Sequence, residues 1–449
     1  MSTVADTTSG VATAGTPLPE PATRVRHARL RALRLHLRLG DPSLLWVNGS
    51  RLFHLNAAST AVWAALIEVL NLPWDHIDEG RLQQAMTERL AERQPDAAAQ
   101  AVLAGFRPVL SGLLETAVRG STLRPMDFAT ADFAPRRWTA PAKAIVALTH
   151  RCNNDCYFCY ADGSRRTVEL TTAEWKQALD RLWDHGVPQL VFSGGEPTLV
   201  RELVELVRHA RRFHTGLITN GRRLAALAPA LRDAGLDYVQ VSLESHDADV
   251  HDRMVGARGA WRQACAGLRE AVGRGLRVST NATLTADNLA ELPELISFAR
   301  SLGVTSMSCN GLVKTGRGRG AASDNGLSGA DLNRFLAKAL ATAKEVGVRL
   351  HWLSSPCHKD FDPTLLGLRA TQCSAAQYEL NIEPDGSVTP CQSWLKDVVG
   401  NILADPWEAI WNHPVCVGFR ERRFALDRPE CASCALLQGC GGGCPLSYD

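Results

Sequence analysis

Between residues 143 and 310, short β-rich runs alternate with helical stretches, and this alternation limits the fold more than any other feature of the chain. The runs at 143–148, 189–193, 215–219, 238–243, 276–283 and 304–310 have strand length. The stretches at 172–186, 199–213, 223–235, 259–275 and 288–302 have helical length. Strands separated by helices pair in parallel, and a parallel sheet needs those helices to cover its faces. Six such units predict an α/β fold, with a parallel sheet that is open or curled into a partial (β/α)6 TIM-type barrel. In such folds functional groups gather at the carboxyl ends of the strands.

The first strand runs directly into THRCNNDCYFCYADG, residues 149–163. Cys152, Cys156 and Cys159 are spaced C-x3-C-x2-C. A structural zinc site takes four ligands and a disulfide framework takes pairs. Three thiolates can instead hold three irons of a [4Fe–4S] cube and leave the fourth open to a non-protein ligand. An incomplete zinc knuckle or a set of core cysteines is the plain alternative. Further polar motifs close the next strands: SGGEP (193–197), TNG (219–221) and SLES (242–245).

The chain has 449 residues and 13 cysteines. At ~150 residues per domain it holds two or three domains. Most of the cysteines cluster at 152–159, 373–391 and 431–444, while Cys265, Cys309, Cys357 and Cys416 stand apart. Residues 1–25, rich in Ala, Thr and Pro, lack a basic and an apolar signal region and are expected to be a disordered tail. A cytoplasmic location follows, where clustered thiols mean metal or catalysis. No apolar run reaches the ~18 residues of a spanning helix. The net charge of +2 gives no case for nucleic acid or an acidic membrane surface.

Residues 43–55 are two apolar runs around Asn48-Gly49, a strong hairpin signal. Helical stretches follow from Asn56 or Ser59, near 78–93 and at 97–118, so 26–120 is expected to be winged-helix-like. The segment 121–142 reads as a linker, 143–353 as the barrel, and 354–449 as a small metal-stapled module.

These motifs resemble the radical S-adenosylmethionine (SAM) family, on C-x3-C-x-φ-C with Phe158 as the aromatic residue and on the Gly-Gly-Glu-Pro loop. The resemblance implies that Cys152, Cys156 and Cys159 ligate a [4Fe–4S] cluster that binds SAM. It implies that Ser193, Gly194, Gly195 and Glu196 meet the methionine amino edge. Ser242 and Glu244 would face the ribose, Asn220 and Asn281 would be polar groups of the cavity, and Arg253 would pair the carboxylate. KTGRGRG (314–320) would be the loop after the sixth strand. Cys309 would be either a cavity thiol that returns hydrogen to a carbon radical or a core residue; Cys265 is expected in the core.

The pattern C-x12-G-x4-C at Cys373 and Cys391, with C-x2-C-x5-C-x3-C at Cys431, Cys434, Cys440 and Cys444, resembles the SPASM extension of that family. It implies one or two auxiliary [4Fe–4S] clusters, one on Cys373, Cys391 and Cys444 with Cys357, the other on Cys431, Cys434 and Cys440. The fourth ligand of the second is left open between Cys416, Asp449, an open iron and a site left incomplete because the chain was cut. The N-terminal part resembles the recognition element of ribosomal-peptide pathways, which binds a leader peptide. Together these imply a maturase that abstracts hydrogen from a precursor peptide to form a thioether, a carbon–carbon or carbon–oxygen crosslink, or an epimerised residue. Its electron donor would be a flavodoxin or ferredoxin. A formylglycine-type maturase and a non-catalytic iron–sulfur or zinc scaffold are the alternatives.

Overall fold

The structure, a computed structural model, describes residues 25–30, 33–39, 43–47, 51–55, 57–72, 79–93, 138–161, 168–369 and 372–447. The tail up to residue 24, the helix expected at 97–118 and most of the expected linker lie outside these. The described residues form two compact units, 25–93 and 138–447.

The first unit is a four-stranded antiparallel sheet with two helices. Its strands β1 (Val25–Leu30), β2 (Leu33–Arg38), β3 (Ser43–Val47) and β4 (Arg51–Leu55) neighbour one another in chain order. The expected hairpin is present, with Val47 opposite Arg51 and Leu45 opposite Phe53. Leu35, Leu37, Leu45 and Val47 share one face of the sheet, as a period of two requires. That face packs on Val62, Trp63 and Leu66 of the helix Ala57–Leu70, and the helix Glu79–Arg93 closes the core with Leu82 and Met86. Strands β1 and β2 were not expected. Their apolar alternation, VRHARL and LRLHLR, is interleaved with arginine and histidine, which masks the apolar run.

The second unit contains the expected alternation. Strands β5 (Lys143–Ala147), β6 (Gln189–Ser193), β7 (His214–Thr219), β8 (Tyr238–Ser242), β9 (Arg277–Leu284) and β10 (Ser306–Gly311) pair in parallel, each beside the next. The helices between them start and stop where local chemistry directs. Thr171 and Glu174 form a reciprocal capping box ahead of the helix Thr172–Asp184. Gly235, in a left-handed conformation, ends Leu224–Ala234. The helix expected at 199–213 is shortened to Leu203–His209, because Pro197–Leu199 forms a 3-10 turn first. Thr172–Asp184 buries Trp175, Ala178, Leu179 and Leu182, and the strands bury Leu190, Phe192, Val239 and Val241. This is a partial barrel.

Two features go beyond the sequence reading. The helix Gly329–Val346 leads to a seventh parallel strand, β11 (Arg349–Trp352), too short to register as a strand in sequence. At the other edge β12 (Glu379–Ile382) lies parallel to β5, followed by the antiparallel β13 (Ser387–Thr389) and β14 (Gly400–Asn401). Lys143 Nζ and Glu379 Oε2 pair at 2.6 Å across the β5–β12 join. The cysteine-rich segment therefore extends the barrel sheet instead of forming a separate lobe throughout. The end of the expected linker is packed as well: Trp411 Nε1 donates to the Trp138 carbonyl at 2.7 Å and Trp407 Nε1 to that of Thr139 at 2.8 Å. No helix among the described residues is long and apolar enough to cross a membrane.

Candidate active site

The cysteine loop leaves β5 at the carboxyl rim, and its residues between the cysteines tie it to the strand ends in turn. Gly195 N–H donates to the Thr149 carbonyl at 2.7 Å and Glu196 N–H to that of Arg151 at 2.8 Å, fixing the loop to the end of β6. Asn153 Oδ1 accepts from Asn220 Nδ2 at 2.7 Å, after β7. Asp155 N–H donates to the Val255 carbonyl at 2.8 Å, beyond β8. The Tyr157 hydroxyl meets Thr285 Oγ1 at 3.0 Å and donates to Asp287 Oδ2 at 2.7 Å, past β9. The Cys159 carbonyl accepts from Arg317 N–H at 2.9 Å, past β10, and Arg317 also pairs with Asp155. Tyr160 OH donates to Gln392 Oε1 at 3.0 Å.

The two glycines after β6 make this docking possible. Gly194 sits at φ +134, and a β-carbon there would collide with the Thr149 carbonyl. A β-carbon at Gly195 would collide with the carbonyls of His150 and Arg151. The sequence reading gave these glycines to the cofactor edge; the structure also uses them to let the backbone approach the cysteine loop. Glu196 is corrected similarly. Its carboxylate is buried and accepts from Thr198 N–H at 3.0 Å, Thr219 Oγ1 at 2.7 Å and Asn220 N–H at 2.8 Å. It locks the end of β6 to the end of β7 and is absent from the cavity lining. Burial raises its pKa, and these donors, with the Thr198 hydroxyl as a fourth and the largest, offset part of that.

The loop roofs a cavity of about 570 Å³. Cys152, Cys156, Cys159 and Phe158 line it, with Ser193, Gly194, Gly195 and Asn220 beside them. Ser242, Glu244, Asn281 and Asn310 come from β8, β9 and β10. Cys373, Cys391 and Cys444 line the same cavity. The thiols surround a space: among the described residues no three His, Cys, Asp or Glu side chains meet at one ion position. A cube takes each thiolate on a different iron. A buried Asn281 Oδ1 has no hydrogen-bond partner here, and a buried acceptor of this kind favours a bound donor.

The electrostatics are those of buried thiols. Burial, with Glu244 the next largest cause, holds the Cys156 thiol well above its ordinary pKa. Burial raises Cys152 too, pushes Cys373 up to about 12, and raises Cys391 and Cys444. The mutual influence of Cys373, Cys391 and Cys444 marks them as neighbours. All 13 cysteines are free thiols. Iron would displace the protons of its ligands on binding. Glu244, pushed up to about 8 by burial, accepts from Thr283 N–H at 2.8 Å, and its own N–H donates to His251 Nδ1 at 3.1 Å.

Several expected site residues lie elsewhere. Arg253 is exposed on the helix Ala248–Met254 and does not line the cavity; the cation beside Cys159 is Arg317. Cys309 is not a cavity thiol. It shares the outward face of β10 with Met307, is fully buried, and donates to the His351 carbonyl at 3.6 Å. Burial raises its pKa to about 12. The residues on either side, Ser308 and Asn310, alternate to the other face. Cys265 is in the core, as expected. Cys357 is outside the cavity lining, but Cys444 N–H donates to the carbonyl of Ser355, two residues before it. Cys416 is buried in the helix Pro414–Arg420, and Asp449 is outside the described residues. Sequence reasoning missed Asn153, Tyr157 and Tyr160 as anchors. Their only signal was that every non-cysteine residue of NNDCYFCY is polar or aromatic.

The radical SAM superfamily profile matches residues 146–299, and that of an iron–sulfur cluster-binding domain, SPASM, matches 373–435. The chain is 30% identical over 333 residues to the pre-heme d1 synthase of Dinoroseobacter shibae, across 68% of this chain and 82% of that protein. It is 32% identical over 324 residues to the PqqA peptide cyclase of Rhodopseudomonas palustris, again across 68% and 82%. Among solved structures, Streptococcus suis SuiB bound to precursor peptide SuiA superposes with a TM-score of 0.61 at 17% identity, covering 94% of this chain and 95% of that one. The anSMEcpe enzyme with bound AdoMet and the Cp18Cys peptide gives 0.54 at 18%, over 68% and 89%. The chain belongs to the radical SAM superfamily, in the branch with a SPASM iron–sulfur domain. Its cofactors are SAM, a [4Fe–4S] cluster that binds it, and auxiliary iron–sulfur clusters.

Proposed function

We propose that the protein is a peptide maturase in which Cys152, Cys156 and Cys159 hold the SAM-binding cluster and a stretch of precursor peptide enters the 570 Å³ cavity. The observation that carries this reading is the sharing of one cavity by the two cysteine sets, 152/156/159 and 373/391/444. When bound, the cluster and SAM supply reductive formation of a carbon radical. The chain does the rest. Asn153, Asp155, Tyr157 and the Cys159 carbonyl hold the loop. Asn220, Ser242, Asn281 and Asn310 offer polar contacts around the cavity. Cys373, Cys391 and Cys444, with Cys357, are the ligands of an auxiliary cluster that faces the substrate.

The peptide class is supported by the names of relatives, the PqqA peptide cyclase and SuiB bound to its precursor peptide. It is also supported by the first unit, where among the described residues the edge strands β1 and β4 of the four-stranded sheet each pair with a strand on one side only. An extended leader adds to such an edge by backbone hydrogen bonds, with affinity from the main chain and choice from side-chain pockets. The product is a crosslink or an epimerised residue, and the electrons come from a flavodoxin or ferredoxin in the cytoplasm. The pre-heme d1 synthase relative carries a second reading, in which the substrate is a heme precursor.

The two separate by experiment. Reconstituted enzyme, SAM and dithionite are incubated with peptides encoded beside the gene, and masses are read. Loss of two hydrogens from the peptide, or uptake of one deuterium from heavy water at an epimerised residue, dependent on Cys156, supports the maturase. Uncoupled SAM cleavage with every peptide, and turnover of a heme precursor, would replace it. Removing residues 1–120 is expected to weaken peptide affinity at least tenfold and spare uncoupled cleavage; unchanged affinity would end the leader-binding role.

A further inference from the structure

The cysteines Cys431, Cys434 and Cys440 give one auxiliary cluster three thiolates, and a cube has four irons. Of the candidates for a fourth protein donor, Cys416 is fully buried in the helix Pro414–Arg420, and the charged group that acts on it is Arg420 of the same helix. The structure points to a residue that the sequence reading did not consider. His358 has a side chain only 3% exposed. Its Nε2 is buried and has no hydrogen-bond partner. Its Nδ1 faces Asp362 Oδ2 at 3.5 Å. An imidazole with one nitrogen toward a carboxylate and the other bare is the arrangement that metal-ligating histidines adopt, because the carboxylate fixes the tautomer and makes the free nitrogen a better donor.

Its position agrees. A β-carbon on Gly439, the residue before Cys440, would lie 3.7 Å from His358 Nδ1 and 3.8 Å from Cε1. The next residue, Lys359, lies within electrostatic reach of Glu430, the residue before Cys431. The turn that carries His358 is closed by Asp360 and Phe361 N–H groups donating to the Cys357 carbonyl, each at 3.0 Å. So one turn lies beside the Cys440 end of the segment and within electrostatic reach of the Cys431 end.

We propose that His358 is the fourth ligand of the auxiliary cluster held by Cys431, Cys434 and Cys440, bound through Nε2 with Asp362 behind it. This rests on the reading of those three cysteines as cluster ligands. Consecutive residues, Cys357 and His358, would then serve the two auxiliary clusters. Unlike thiolate, neutral imidazole adds no negative charge, so this cluster takes an electron more readily than an all-thiolate one.

The test uses the full chain, reconstituted anaerobically with iron and sulfide, grown with 15N-histidine or unlabelled, and reduced for pulsed EPR. A nitrogen hyperfine coupling that changes with the label, and that disappears in His358→Ala, is expected. His358→Cys is expected to keep the iron count and lose the coupling, which separates ligation from folding. The SAM-dependent signal of the cavity cluster reports that each variant is folded. A coupling unchanged in His358→Ala, or no histidine coupling in the wild type, overturns the proposal. Cys431→Ala distinguishes the underlying reading: if it loses no iron, out of the about four of one cube, the three-cysteine cluster is wrong; if it loses them while His358→Ala changes nothing, only the histidine is.

Discussion

The loop at 152–159 and the segment at 431–440 carry the same number of cysteines and are built in opposite ways. The first is short, but Asn153, Asp155 and Tyr157, three of the five residues between its cysteines, are bonded beyond the ends of three different strands, so the barrel sets its shape. The second runs through two four-residue helices, Pro429–Ala432 and Leu437–Cys440, with Cys431 and Cys434 half-exposed. It is followed by three glycines, all in the left-handed region. Few backbone groups there are held by anything outside the segment; the bonds from Gln372 Nε2 to the carbonyls of Gln438 and Gly439, at 2.9 Å each, are among them. The contrast teaches where the energy of each site comes from. The scaffold sets the shape of the first loop, and on the cluster reading proposed above metal binding supplies the order of the second segment, as in small metal-stapled domains.

That contrast can be broken in order of size. Cys156→Ala is expected to abolish deoxyadenosine formation, below one part in a thousand of wild type, without unfolding the barrel. Retained cleavage would remove the loop from the chemistry. Gly195→Ala places a β-carbon against two carbonyls of the docked loop. It should cost the cavity cluster, seen as a loss of about four irons per chain; full iron content would show that the loop does not need this close approach. Removing all iron with a chelator should speed amide exchange at 429–443 by at least tenfold and leave β5 to β10 protected, since local opening follows local stabilisation. Equal change in both regions would contradict the comparison. Tyr157→Phe removes a hydroxyl bonded to Thr285 and Asp287. The expected loss is about 1 kcal/mol of stability, with deoxyadenosine formation reduced several-fold at most.

The strand bounds of the barrel were legible because β5, β6 and β7 are buried along almost their whole length and read as compact apolar runs, while β8 and β9 bury alternate residues and read by their period of two. Strands β1, β2 and β11 were not, since arginines interrupt the first two and the third has four residues. The cysteine trio was legible from spacing alone. The work of the residues around it was not, because Asn153, Tyr157 and Glu196 act through partners that are far away in sequence. Asn220 is 67 residues from Asn153, and Asp287 is 130 from Tyr157. Cys309 was misplaced for a simpler reason: a one-residue shift along a strand moves a side chain to the other face. His358 carried no signal until the fold set it against Gly439.

The most direct test of the account is an anaerobic assay of deoxyadenosine with SAM and dithionite, run on iron-loaded wild type and on Cys156→Ala. The account predicts steady formation by the wild type and none by the variant. A wild-type protein with its full iron content and no deoxyadenosine would contradict it.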